Sequence, residues 1–395
     1  LNINTSEYIN SLDPYAFAEI DKAREKAKSQ YSGEILDFGV GDPTEPTPAV
    51  AVAEGVREAI LNPDRGYPSY EGEEDFRKAV SEWFKRRFGI HMDPHNEITA
   101  TLGSKQAVFS LPMAYVDEGD AVLIPDPGYP PYTTGAKQRK AETVFMPLKE
   151  ENNFLPTFEE IDEKNLEKTK LMWCNYPNNP TTKVAPRDFY RRAVDFCEEN
   201  DILLISDEAY SEMYYDEDKK PISLFNVDGS KEIGLVFHSL SKRSNMTNYR
   251  IGFVTGRKEI LEPFKKVQTN FHSGQSQISQ YAAIGALSDE GHVEKMRGLY
   301  RKKKELLRPA LRKFGFPKIY SEGTFYLWAK IPDRLSPIDV VKDLLYKKGI
   351  NATPGEALSR TSESGSQFLR FALVPSIEKI EEAASRLKGE KMLVR

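Results

Sequence analysis

The chain has 395 residues, 39% hydrophobic and 11% aromatic, with a formal net charge of −5, which excludes a disordered chain, counts against a general nucleic-acid binder and predicts two domains or one elaborated large one. The two cysteines, Cys174 and Cys197, make no disulfide framework and stand in apolar contexts that suit free thiols in a reducing compartment. No apolar run approaches the ~18 residues of a membrane span, the first twenty residues carry no secretion-signal pattern, and the five histidines show no metal-ligand spacing, so a cytoplasmic, metal-free protein is expected.

Along the chain, the first ~40 residues give one helix and the loop "LDFGVGDPTEPTP". Its "FGVG" fails as a dinucleotide fingerprint, because no third glycine follows and Pro43 stands where the helix should begin; it reads as a turn with an exposed backbone at Gly41. From about 95 to 256, β-branched runs alternate with helical patterns. The predicted strands are 97–102, 120–125, 170–177, 201–207, 234–240 and 250–256, with "APRDFYRRAVDFCEEN" as an amphipathic helix between two of them. Runs apolar on both faces and separated by helices predict a largely parallel sheet covered on both sides, with ligands beyond the carboxyl ends of the strands.

Those ends carry the chemistry. "TLGSKQ" turns at Gly103 into a helix starting at Ser104, either an anion site or a plain serine-capped turn. "PDPGYPPY" holds Tyr129 in a proline-stiffened loop, where it stacks on a flat ligand or simply packs. "NYPNNPTT" is a rigid turn that either presents its amide side chains to a ligand or serves structure alone. In "ISDEAYSE", Asp207 closes an apolar run where an unpaired carboxylate is expensive, so it needs a cation or several donors; Tyr210 lies three positions on. "HSLSKRSNMTNYRIGF" then sets Lys242 among serines at the same sheet edge, near Arg250. A lysine so placed is either a solvated charge or a neutral amine able to form a Schiff base, and the other groups at successive strand ends favour the amine. From about 286 the pattern becomes a charged helix followed by strand, helix and strand, an α+β unit.

The ordered motifs "YPSYEG", "GSKQ", "PDPGYP", "NYPNNPT", "DEAYSE", "SLSKRSNMTNYRIGF" and "LRFA" run along essentially the whole chain. Together they resemble the fold-type I, pyridoxal 5′-phosphate (PLP) dependent class I/II aminotransferases, and within them the LL-diaminopimelate branch. The resemblance implies a mostly parallel central α/β sheet sandwiched by helices plus a smaller α+β domain. Residues 1–45 would pack with the small domain, 46–285 form the large PLP-binding domain and 286–395 the small one. Lys242 would hold PLP covalently and move the substrate proton, and Asp207 would pair with the pyridine nitrogen. Asn179 and Tyr210 would bond the ring 3′-oxygen, while Tyr129 would stack on the ring. Ser104, Lys105, Ser239, Ser241 and Arg250 would line the phosphate side, joined by Tyr67 from a neighbouring subunit of a homodimer. Arg370 would grip the substrate α-carboxylate, with Gly41, Tyr15 and Asn179 also contacting substrate. Four positions depart from the family pattern: Thr182 replaces a glycine, Asn248 and Tyr249 replace Gly-Trp, and Arg243 replaces a smaller polar residue.

The expected reaction is ping-pong transamination of LL-2,6-diaminopimelate with 2-oxoglutarate. The rivals are an aspartate, alanine, aromatic or N-succinyl-diaminopimelate aminotransferase, a β-eliminating lyase on the same fold, and a PLP-sensing transcription regulator. The acidic balance speaks against the regulator.

Overall fold

The computed structural model describes residues 3–12, 18–361, 364–389 and 391–392. Thirteen strands occur among them: β1 (Leu36–Asp37), β2 (Ile98–Thr101), β3 (Ala121–Asp126), β4 (Glu142–Pro147), β5 (Thr169–Asn175), β6 (Leu203–Asp207), β7 (Gly234–Ser239), β8 (Gly252–Gly256), β9 (Lys318–Tyr320), β10 (Tyr326–Lys330), β11 (Ile350–Asn351), β12 (Thr353–Pro354) and β13 (Phe368–Ala372). Seven form one sheet in the order β2-β8-β7-β6-β5-β3-β4. Every neighbouring pair is parallel except the two made by β8, which runs against β7 and β2.

The inner strands of this sheet are buried on both faces, which is why they are largely apolar. Successive side chains of β5 go to opposite sides: Leu171 and Trp173 join a core with Tyr132 and Phe237, while Met172 and Cys174 join one with Trp83, Phe84 and Phe189. The helix Arg187–Glu199 covers the second face through Phe189, Tyr190, Ala193, Val194 and Cys197, the spacing its amphipathic pattern predicts. The two cysteines are free and buried.

A second sheet, β12-β13-β10-β9, is antiparallel, and the short parallel pair β1/β11 lies apart from it. Its core gathers Tyr300, Phe325, Leu327 and Phe371, and takes in Phe38 together with Ile20, Ala23 and Ala27 from the helix Ala18–Gln30. Residues 3–12 go elsewhere. Their short helix Glu7–Ser11 lies on the helix Pro130–Gln138, where Tyr8 Oη donates to Thr134 O at 3.4 Å.

The six strands expected in the large sheet are present within one or two residues of their ends. The run 250–256 starts late because Arg250 adopts φ 49°, ψ 50°, outside any strand geometry. The strand β4 was not foreseen. It pairs only with β3 and is mostly half-buried, so its sequence lacks the two-faced apolar signal. Among the described residues, no helix is long and apolar enough to cross a membrane.

Candidate active site

A cavity of about 640 Å³ opens at the carboxyl edge of the parallel strands. The topology explains why these side chains meet there. Asp207 ends β6, Lys242 follows β7, Asn179 follows β5, Tyr129 follows β3 and Ser104 follows β2. Because β8 is antiparallel, its start lies at the same edge, and Arg250 sits two residues before it. Arg370 reaches in from β13 of the smaller sheet.

Lys242 lies on the one-turn helix Leu240–Arg243, whose N-terminus is capped by Ser239 Oγ accepting from Ser241 N. Its Nζ donates to Gly41 O at 2.8 Å and stands 5.4 Å from the Phe325 ring centre. Burial pulls its pKa down from 10.5 to about 8, opposed by Asp42 and reinforced by Arg370 and Arg250. The neutral, nucleophilic amine is thereby far more populated near neutral pH than in an exposed lysine.

Asp207 is 4% exposed, and no side-chain cation pairs with it among the described residues. Tyr132 Oη donates to its Oδ2 at 2.7 Å, and Ala209 N donates to Oδ1 at 3.2 Å. Burial pushes the carboxyl above its usual range, and the Tyr132 bond resists that push. A cation bound beside it would restore the carboxylate.

Arg370 is the complementary case. It is 6% exposed with no carboxylate against it among the described residues, and its Nε is buried without a partner. Its guanidinium donates to Asn179 Oδ1 and to Gly39 O, both at 2.9 Å, and lies over the Tyr326 ring at 4.5 Å. Because Asn179 Oδ1 faces Arg370, its amide nitrogen is the end left to bond a ligand oxygen. Asn175 fixes that turn: its Oδ1 accepts from Asn179 N at 3.0 Å and its Nδ2 donates to Asp207 O at 2.9 Å.

A further cluster of hydroxyls and cations in the cavity has the chemistry to bind an anion. Ser104, Ser239, Ser241, Thr247, Lys105 and Arg250 make it up. Gly103 has φ +66°, and a Cβ there would stand 2.7 Å from Arg250 Nη2, so only glycine lets the guanidinium close on this helix start. Gly41 is constrained differently: its Cβ would lie 2.1 Å from Tyr326 Oη.

Of the residues singled out from sequence, the cavity gathers Gly41, Ser104, Lys105, Tyr129, Asn179, Asp207, Tyr210, Ser239, Ser241, Lys242, Arg250 and Arg370. Tyr67 stands outside it and is 88% exposed. Tyr15 lies outside the described residues. Sequence reasoning missed Tyr132, Asn175 and Tyr326. Tyr326 Oη lies 3.1 Å from Tyr210 Oη, between the Gly41 loop and Arg370. Tyr132 and Asn175 lie inside the motifs "PDPGYPPY" and "NYPNNPTT", which drew attention to other residues in them. The departure at Thr182 is structural: it adopts φ 68° where glycine is free, and its hydroxyl accepts from Glu322 N at 3.2 Å.

The family model for aminotransferase class I and II matches residues 33–387. The chain is 42% identical to the LL-diaminopimelate aminotransferase of Aquifex aeolicus over 98% of its own length and 99% of the relative's. It is 40% identical to the enzyme of the same name from Halothermothrix orenii, with 98% of each chain covered. Among solved structures it superposes on substrate-bound BacF of Bacillus subtilis with a TM-score of 0.89 at 33% identity, covering 98% of both chains. An aminotransferase from Neisseria meningitidis gives a TM-score of 0.89 at 31% identity, covering 97% of this chain and 99% of that one. The protein belongs to the class I and II aminotransferases.

Proposed function

We propose that this chain, as a cytoplasmic PLP-dependent homodimer, transfers the amino group of LL-2,6-diaminopimelate to 2-oxoglutarate. One observation carries the assignment: among the described residues, a buried carboxylate without a cation and a buried guanidinium without a carboxylate share a cavity with one lysine of lowered pKa. These are the complements of a pyridinium nitrogen, an α-carboxylate and an aldehyde. The relatives at 36–42% identity bearing the LL-diaminopimelate name support the choice of substrate.

Bound PLP would supply an electron sink for the pair left when the substrate Cα proton departs. The remaining work belongs to the chain. Asp207, held by Tyr132, keeps the ring nitrogen protonated. The Asn179 amide and the Tyr210 hydroxyl hold the ring oxygen, and Tyr129 covers the ring face. Ser104, Lys105, Ser239, Ser241 and Arg250 seat the phosphate. Arg370 grips the α-carboxylate as a fork, fixing which Cα bond faces Lys242. The Lys242 amine, once displaced by substrate, removes the Cα proton and returns it one position along. The product, 2-amino-6-oxopimelate, closes to tetrahydrodipicolinate with loss of water.

The homodimer is supported by an exposed apolar face. Val52, Val56 and Ile60 form a stripe on the helix Ala49–Leu61, near exposed Tyr67, Tyr70 and Ile278. From that face Tyr67 would serve the cavity of a second copy.

The test is glutamate formation by PLP-loaded protein given the two substrates, alongside Lys242→Ala. Borohydride reduction should fix cofactor to a peptide containing residue 242 in the wild type alone. Fully loaded protein that makes no glutamate would refute the substrate pair, and cofactor fixed elsewhere would refute the site.

A further inference from the structure

Five cationic side chains line the cavity, and the proposed reaction uses only Lys105, Lys242, Arg250 and Arg370; the fifth is Arg360. It sits on the rim in the loop joining β12 to β13, and how that loop is held is unusual. Asp126, 1% exposed at the end of β3, spends its carboxylate on three consecutive residues. Ser359 Oγ donates to Oδ2 at 2.7 Å, Arg360 N to Oδ1 at 2.6 Å and Thr361 N to Oδ2 at 3.0 Å, and Thr361 Oγ1 also bonds Oδ2. Just before them, Leu358 O accepts from Gly128 N at 2.9 Å. The segment bearing Tyr129 thus anchors the backbone of Arg360, although the two are more than 200 positions apart in the chain.

An anchored backbone fixes where a flexible side chain can reach. Arg360 lines the same cavity as Arg370, and Tyr129 and Leu358 line it too, so a dicarboxylic substrate held by Arg370 at its α-carboxylate would have a second guanidinium in the cavity for its far end. We propose that Arg360 binds the distal carboxylate of dicarboxylic amino and 2-oxo acids, with Asp126 as the positioning residue that holds it there. The inference rests on the transaminase reading and deepens it by naming a determinant of substrate class. A charge-assisted fork between guanidinium and carboxylate is the strongest polar contact such a site can offer, and it gives nothing to a substrate that ends in a methyl group.

The test compares PLP-loaded wild type, Arg360→Gln, Arg360→Lys and Asp126→Asn. The first readout is the ratio of kcat/KM for 2-oxoglutarate over pyruvate; the second is the calorimetric Kd ratio of glutarate and valerate. Arg360→Gln is expected to lower both selectivity ratios about 10- to 100-fold, the kinetic loss appearing in KM. Arg360→Lys should recover part of the loss, and Asp126→Asn should move both ratios in the same direction by less. Ratios that stay at the wild-type value in a fully active Arg360→Gln enzyme overturn the inference and leave the reaction standing. Glutarate binding that depends on Arg360, in wild type that transaminates no pair, refutes the reaction and retains the carboxylate site.

Discussion

Replacing Lys242 by methionine should stabilise the cofactor-free protein near neutral pH and cease to do so in alkali. The amine is held at about 8 against 10.5 in an exposed lysine, chiefly by burial. At roughly 1.4 kcal/mol per unit, keeping the ammonium in the folded state costs on the order of 3 kcal/mol. Below pH 8 folded and unfolded chains both carry the proton, and the whole cost is present. Between 8 and 10.5 the unfolded chain keeps a proton that the folded one has shed, so wild-type stability rises with pH. Above 10.5 both forms are neutral and the cost is gone. Methionine fills a similar volume but loses the bond to Gly41 O, which removes about 1 kcal/mol from the gain. The variant should therefore be roughly 2 kcal/mol more stable near pH 7 and slightly less stable than wild type in alkali. Urea unfolding of both proteins at the two pH values measures a difference of differences, in which other titrating groups cancel. An offset independent of pH, or a variant already destabilised at neutrality, would refute the low-pKa amine and with it the account of Lys242 as nucleophile.

Tyr132→Phe removes the phenol that opposes the rise of the Asp207 carboxyl, so the acid limb of the kcat/KM profile should move upward by about one pH unit, with PLP affinity about tenfold weaker. Arg370→Lys keeps the charge and loses the fork; kcat/KM should fall about 100-fold for amino and 2-oxo acids alike, while the Kd for PLP measured by equilibrium dialysis stays near the wild-type value. Gly41→Ala drives a methyl into Tyr326 Oη, and kcat/KM should drop at least about tenfold; adding Tyr326→Phe should recover part of it, a coupling that independent sites would not show.

The strand ends were legible because a parallel sheet buried on both faces writes itself as apolar runs, and each run stops at a residue the apolar pattern cannot contain. Asp207 and Lys242 are conspicuous for that reason. The edge strand Glu142–Pro147 has one neighbour and partial exposure, so its sequence resembles a loop. Tyr132 was illegible as a site residue because its value comes from a contact with a carboxylate 75 positions away, and a tyrosine stacked on Trp173 at 4.7 Å looks like ordinary core. Tyr326 was hidden the same way: its strand was evident, but not that its hydroxyl meets Tyr210. The role of Arg250 depended on a strand direction that the sequence does not state.

One loop ties these parts together. Arg370 donates to Gly39 O and Lys242 to Gly41 O, so the two cations assigned to substrate in the proposed reaction both hold the same stretch of backbone, 39–41. An incoming α-carboxylate competes with Gly39 O for the guanidinium, and any reaction at the Lys242 amine takes a proton donor away from Gly41 O. Substrate bound by these two side chains would therefore loosen the loop at two points at once. Gly39 O also accepts from Thr353 Oγ1 at 2.9 Å, and Gly39 N donates to Asp37 Oδ1 at 2.8 Å, and these bonds keep one end of the loop fixed while Gly41 is freed. A tether at Gly39 and a release at Gly41 give the loop a hinge beside the substrate carboxylate. This arrangement accounts for a glycine at 41, where any side chain would strike Tyr326 and block the motion.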